Sequence, residues 1–545
     1  MNLRAVTSFR DHALRVVLFL ALTALLVSCA SGGGTSEEGK KSKDDSKNSV
    51  PSNVTKTIDR ITSKPLFKHS TWGISVRDLS TGKVLLGQSG DKMFVPASTF
   101  KTLSGATVLD GYGPDHRFKT PVYRSGTLKK GVAKGDLVLV ASGDLSLGLR
   151  EKPDGTMVYA NAPYFDHTYA NVAPKAALLG KPLTGLNELA KQVHEAGIRK
   201  VEGNIVIDDR LFEPWKSPDG LISPIWVNEN RIDITAKPTS PGESAKIKWR
   251  PRTAAYTVKS DVETVPKSKD TELQVDDSES GVMRISGQIA AGSDPAVRVG
   301  EVKNPAAFAR TAFIEALERA GVEVSATPVG ANPSDLLPSR GSYRKSDRVA
   351  EHVSGPLKEF TSYIFKTSHN PGGQLFACLA AVEAGSRDCQ AGLAQEYKVA
   401  TSLGVPKGTT FIFDGAGSDD HDRTTPDAMT KFLRAVDEQS YGKTFETSLA
   451  LMGKEGTQAE AEKDSPAVGK IRIKDGTRVL PTPAGPGVLF GKALVGYVET
   501  KGGHRLAIAI MVKDVPISSP EEIFPVVLGL AEDQDKMAVA IQQGY

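Results

Sequence analysis

Two strand hairpins at opposite ends of the chain restrict its fold more than any other feature. Near the start, Trp72, Ile74 and Val76 alternate with small or polar residues, the chain turns through Ser80, Thr81, Gly82 and Lys83, and apolar residues resume at 84–86. Near the end, residues 493–499 and 504–512 read as strands joined by Thr500, Lys501, Gly502 and Gly503, a strong hairpin signal. Ser519 and Pro520 then open a closing helix rich in Ile, Val and Leu. The pattern predicts a mixed α/β (α+β) chain in which both ends share one antiparallel sheet and the middle is an insertion.

The middle, roughly 119–347, sets short β-type runs (136–140, 201–207, 282–289) between helical segments (185–196, 305–320). With 545 residues and 39% hydrophobic content the chain is long enough for two or three packed domains. We expect a first core part at 57–120, inserted domains at 121–347 and a second core part at 348–545.

The N-terminus has scattered arginines and an apolar run at 16–27 that is short for a bilayer span, followed by Leu26, Val27, Ser28 and Cys29. This reads as an export signal over 1–28, and its end resembles the lipobox of bacterial lipoproteins, which makes Cys29 the expected lipid anchor to a membrane outside the cytoplasm. An uncleaved membrane anchor is the alternative. Residues 29–56, polar and glycine-containing, read as a flexible tether. The signal carries a net +2 of the formal +4, so the mature charge is about +2 and offers nothing to nucleic acid.

A serine hydroxyl needs a base within hydrogen-bond reach to become a nucleophile, and a lysine three residues on along a helix lies on the same face. Ser98, Thr99, Phe100 and Lys101 satisfy this, but so do Ser80 with Lys83, Ser89 with Lys92, Ser342 with Lys345 and Ser440 with Lys443. Only the Ser98 copy follows a proline, Pro96, and opens an apolar helix containing Phe100, Leu103, Ala106 and Val108. At a helix start the unpaired amide of Ser98 is also placed to meet a developing oxyanion.

Two further motifs follow in order. Ser368, His369 and Asn370 come after a helix carrying Leu357, Phe360 and Ile364, and Lys474, Asp475, Gly476 and Thr477 close a strand in which Ile471 and Ile473 alternate with Arg472 and Lys474. The rival downstream matches, 454–456 and 501–503, lie in turn-like settings. In this set the chain resembles the penicillin-binding serine enzymes, with their Ser-x-x-Lys, Ser-x-Asn and Lys-Thr-Gly motifs. The spacing from Ser98 to Ser368, together with Ser142-Gly143-Asp144, the run 201–208 and Asp414-Gly415-Ala416-Gly417-Ser418, is similar to the class C D-alanyl-D-alanine carboxypeptidase/endopeptidases.

That resemblance implies a β-lactamase/transpeptidase-like domain interrupted by smaller inserted domains, no cofactor, peptidoglycan stem peptides as substrate and β-lactams as inhibitors. It implies Ser98 as nucleophile, Lys101 as proton acceptor, Ser368 as relay to the leaving amine, and Asn370, Lys474, Gly476 and Thr477 as substrate contacts. The amides of Ser98 and Thr477 would hold the oxyanion. A secreted β-lactamase or esterase, or a silent wall-binding homologue, would share the fold.

Two departures stand out. Asp475 replaces the usual threonine, putting a carboxylate where the substrate carboxylate binds; either it points away or pairs with a neighbour such as Arg472 or Arg478, or substrate choice has shifted, or activity is weak. Pro371, Gly372 and Gly373 follow Asn370 where the family continues a helix.

Elsewhere, the nine histidines are dispersed without a zinc pattern. His369 beside Ser368 is weighed as a base and set aside, because adjacent side chains point apart. The acidic residues Asp414, Asp419, Asp420 and Asp422 lack calcium-loop spacing and read as a solvated loop. Cys378 and Cys389 either close a short disulfide or remain two buried thiols.

Overall fold

Helix α1 (Ser52–Thr62) opens the part of the chain that the computed structural model describes, residues 50–147, 152, 154–159 and 178–545. The expected export signal, Cys29 and most of the tether lie outside those residues. The tether was expected to reach residue 56, yet the helix starts four residues sooner. Val54, Ile58 and Ile61 form a buried stripe at helical spacing, enough to dock the segment.

Strands β1 (Thr71–Asp78) and β2 (Val84–Gln88) form the first hairpin, and helix α2 (Lys101–Tyr112) follows. The middle of the chain begins with β3 (Arg117–Arg124), β4 (Leu137–Val140), α3 (Thr184–Glu195), β5 (Ile205–Asp208) and α4 (Pro305–Arg319), and ends with β6 (Arg348–Pro356). Then come α5 (Leu357–Thr367), α6 (Asn370–Glu383) and α7 (Cys389–Ser402). The chain closes with β7 (Ala450–Leu451), β8 (Ile471–Pro481), β9 (Gly487–Glu499), β10 (Arg505–Lys513) and α8 (Ile523–Gly544).

The two hairpins join as expected. The main sheet runs β2-β1-β10-β9-β8-β7, all antiparallel, with Ile74 opposite Ile510 where the chain ends meet. Both faces are covered, so the central strands β9 and β10 are nearly continuous buried apolar runs. Trp72, Ile74, Val76, Ile508 and Ile510 face α1 and α8 in one core. Ala507, Ala509 and Met511 face the helical layer in another, which contains Phe100, Leu103, Phe360 and Phe376. Gly73 admits that layer, since a Cβ there would lie 2.3 Å from the Phe94 ring. β8 continues to Pro481 rather than ending at the Lys474 motif.

A separate core is made from residues between Val122 and Ala350, including Leu186, Leu189, Phe308 and Phe313 of α3 and α4 packed on Ile205 and Ile207. Its small sheet has the order β6-β3-β4-β5, and β3 pairs directly with β6 where the chain leaves and re-enters the terminal part. Among the described residues no helix is long and apolar enough to cross a membrane.

Candidate active site

The site begins with a 3-10 turn, Ala97–Phe100, that runs directly into α2. Pro96 precedes the turn and Ala97 takes a left-handed φ of 46°, a strained setting for a non-glycine residue. One helical turn separates Ser98 from Lys101, and Lys101 Nζ lies 2.9 Å from Ser98 Oγ. The lysine is fully buried, while Ser98 remains partly accessible.

Two arms cage the lysine. Its Nζ donates to Asn370 Oδ1 at 2.5 Å and to the main-chain oxygen of Ala416 at 2.9 Å. Asn370 is oriented from behind, because its Nδ2 donates to Asp219 Oδ1 at 3.0 Å and so leaves Oδ1 for the lysine. The Ala416 carbonyl is held by Asp414, whose Oδ1 accepts from the amides of Ala416 and Gly417 at 2.9 and 2.6 Å. Gln374 ties the arms together through Asp219 Oδ2 (2.7 Å), Asp414 Oδ2 (3.1 Å) and the Gly415 amide (3.0 Å).

Asp219, Gln374 and Asp414 have roles that sequence reasoning missed. Pro218-Asp219-Gly220 reads only as a turn, and its placement behind Asn370 depends on contacts across 151 positions. The acidic stretch is not a solvated loop: Asp414 and Asp422 are fully buried, and only Asp419 and Asp420 are open to solvent. Burial pushes Asp422 up to about 9, with Asp414 adding to the effect. The Glu396 carboxyl is raised well above its usual range by burial, with Asp414 and Asp422 adding to the effect. Asp414 is also raised, by burial and by Asp219.

Ser368 ends α5 in the left-handed conformation, with φ 58° and ψ 37°. His369 is the next residue, and α6 begins at Asn370. The Pro371-Gly372-Gly373 segment therefore does not interrupt a helix. Pro371 occupies the first turn, where no amide partner is needed, and His369 Nδ1 accepts from the Gly372 amide at 2.9 Å as the N-cap. Both glycines are required for close packing: a Cβ at 372 would lie 2.6 Å from His369 Nδ1, and one at 373 would lie 2.9 Å from the Gly415 oxygen.

β8 forms the other wall. Gly476 rests against the Ala97–Phe100 turn, where a Cβ would lie 2.9 Å from Ser98 N and 2.6 Å from the Pro96 oxygen. Thr477 follows it, with Oγ1 buried and without a hydrogen-bond partner among the described residues. Lys474 is fully buried, and its Nζ donates to the main-chain oxygen of Asp475 at 2.6 Å and to Oδ1 at 3.3 Å.

Asp475 does not pair with Arg472 or Arg478, as the sequence suggested. Arg472 reaches Glu455 at 3.8 Å and Arg478 holds Asp420 at 2.5 Å. Asp475 instead accepts from Thr457 Oγ1 at 2.9 Å and faces Lys492 Nζ at 3.9 Å. Although burial opposes its charge, Lys474 and Lys492 hold this carboxyl well below the usual carboxylate range. Burial lowers the Lys474 proton affinity, and Asp475 offsets part of that effect.

Cys378 on α6 and Cys389 at the start of α7 are joined as a disulfide, which clamps the helix that begins at Asn370. Among the described residues no cluster of His, Cys, Asp and Glu is arranged to hold a metal ion.

Residues 54–526 match the model of the D-Ala-D-Ala carboxypeptidase 3 (S13) family. A D-alanyl-D-alanine carboxypeptidase from an Actinomadura species is 25% identical over 480 residues, covering 83% of this chain and 80% of that protein. The D-alanyl-D-alanine carboxypeptidase DacB of Haemophilus influenzae is 21% identical over 430 residues, covering 75% of this chain and 80% of its own length. The crystal structure of penicillin binding protein 4 (dacB) from the same organism superposes with a TM-score of 0.66 at 18% identity, covering 89% of this chain and 98% of that one. It has also been solved with a β-lactam bound. With a family match across most of its length and a fold shared with penicillin binding protein 4, this chain belongs to the D-Ala-D-Ala carboxypeptidase 3 family of serine peptidases.

Proposed function

We propose that the chain is an exported serine DD-carboxypeptidase/DD-endopeptidase that cleaves D-Ala-containing bonds of peptidoglycan stem peptides through an acyl-enzyme on Ser98. The observation that carries this reading is the 2.9 Å approach of Lys101 Nζ to Ser98 Oγ inside a closed cage of acceptors. As a free amine the lysine has two N–H bonds and one lone pair. Asn370 Oδ1 and Ala416 O accept the two N–H bonds, and the lone pair is left for the serine proton.

In this reading Ser98 Oγ attacks the peptide carbonyl as its proton passes to Lys101, and the Ser98 and Thr477 amides receive the oxyanion. Ser368 relays the proton to the leaving amine, Asn370 and Gly476 border the substrate backbone, and Lys474 supplies positive charge. Water then hydrolyses the ester. β-Lactams, whose strained amide resembles the scissile bond, acylate the same oxygen. The contact between Lys474 and Asp475 favours a slow enzyme as a variant of this reading.

The proposal includes removal of residues 1–28, lipid attachment at Cys29, a tether from there to the described residues, and a catalytic part formed by 57–120 and 348–545 around an insertion at 121–347. The separate core between Val122 and Ala350 supports that division. Labelling with a fluorescent penicillin tests the chemistry. Wild type is expected to take up one equivalent and Ser98→Ala none; a fully labelled Ser98→Ala rejects the assignment.

A further inference from the structure

The short turn Asn228–Asn230 of the middle region has an uncommon backbone. All three residues are left-handed, with φ of 53°, 54° and 53°, and all are buried. Asparagine tolerates this conformation, but glutamate does so poorly. The turn is held by its own asparagines: Asn230 Nδ2 donates to the Ile225 oxygen at 2.9 Å, and Asn228 Nδ2 donates to the Arg231 oxygen at 2.8 Å. What this arrangement achieves is the direction of the Glu229 side chain.

Glu229 reaches the motif that carries Ser368 and Asn370. Its Oε2 lies 3.1 Å from His369 Nε2, and its Oε1 accepts from Tyr363 Oη on α5 at 3.2 Å. The imidazole is fully buried, and its Nδ1 accepts from the Gly372 amide. That acceptor role assigns the ring proton to Nε2, the ring nitrogen 3.1 Å from the carboxylate, at ion-pair distance but not aligned as a hydrogen bond. A carboxylate orienting an imidazole that caps a helix is thus built between two regions of the chain. The helix it caps begins at Asn370, whose Oδ1 holds Lys101.

We propose that Glu229 and His369 form a positioning dyad through which the middle region sets the geometry of the Ser98-Lys101 pair. Neither residue touches the reacting atoms. Glu229 holds the Nε2 edge of the His369 ring, His369 caps the first turn of α6, and that turn sets Asn370 against the lysine. This explains why a strained glutamate persists in a buried turn. It also makes the middle region part of the catalytic apparatus rather than an appendage. The inference rests on the acyl-enzyme reading above.

Single-turnover labelling of the full chain with a fluorescent penicillin tests it by separating the binding constant from the acylation rate constant, with the thermal midpoint measured alongside. Glu229→Asp is the informative variant. Aspartate accepts a left-handed backbone more readily than glutamate, so the midpoint is expected to hold. Its carboxylate falls one methylene short of the ring, and acylation is expected to slow about tenfold or more with binding within about twofold. Glu229→Gln, which still offers the ring an oxygen, should stay within about threefold of wild type. His369→Asn keeps a competent cap but loses the ring N–H, and should slow acylation without lowering the midpoint.

A folded Glu229→Asp or His369→Asn that acylates at the wild-type rate overturns the dyad, as does a loss confined to the thermal midpoint. A wild type that takes no label on Ser98 overturns the acyl-enzyme reading and the dyad together. A labelled wild type with an equally fast Glu229→Asp overturns the dyad alone.

Discussion

Lys474 folds its ammonium back onto Asp475, its neighbour on β8, at 2.6 Å from the main-chain oxygen and 3.3 Å from Oδ1. Successive strand side chains point to opposite faces, so the contact requires the lysine to wrap around the strand edge. Among the described residues β7 pairs with β8 only at Arg472 and Ile473, so from Lys474 onward that edge has no strand partner. The positive charge expected to attract a substrate carboxylate is therefore neutralised from within.

Asp475→Thr should release that charge. We expect acylation by an anionic penicillin to accelerate about tenfold, on the order of 1.4 kcal/mol of transition-state stabilisation. Stopped-flow labelling measures this directly. A slower Asp475→Thr would mean that the carboxylate assists the reaction instead of restraining it.

Gly476→Ala places a methyl 2.9 Å from Ser98 N and 2.6 Å from the Pro96 oxygen. Both neighbours are backbone, so the strand and the Ala97–Phe100 turn must separate. The expected result is a loss of acylation of about 10²-fold, with the circular dichroism spectrum unchanged. Labelling at the wild-type rate would show that the two walls need not touch.

Asp535 on α8 is nearly buried beneath β8, where desolvation raises its carboxyl from 3.8 to about 7 despite the opposing charge of Lys492. Between these values the folded chain keeps a proton that the unfolded chain has released, so this group makes stability fall as pH rises from about 4 to about 7. The complete effect is on the order of 4 kcal/mol at most. Asp535→Asn does not titrate, and its thermal midpoint should gain on wild type between pH 5 and pH 8. An equal difference at both pH values would exclude this source of pH dependence.

Local chemistry was legible wherever a short stretch decided it. Alternation and turn residues placed both terminal hairpins, and Pro96 before an apolar run located the helix start that carries Ser98 and Lys101. Tether and strand limits were misread where docking against distant segments decided the outcome, as with Val54, Ile58 and Ile61 against α8. The acidic stretch was misread for a related reason. Burial of Asp414 and Asp422 is set by the packing of Glu396 and Gln374 from other helices, and no local pattern encodes it.

The sequence by itself determined the periodic elements, the meeting of the two chain ends in one sheet, and the one-turn spacing of Ser98 and Lys101, because each depends on backbone geometry within a few residues or on apolar pattern. Only the tertiary structure decided what surrounds the lysine: Asn370 from 269 positions away, Ala416 from 315, and Asp219 behind Asn370. It also decided that Asp475 faces Lys474 and Lys492 rather than an arginine. Hydrogen bonds and ion pairs of this kind depend on distances of a few tenths of an ångström between segments remote in sequence, and those distances exist only once the cores have packed.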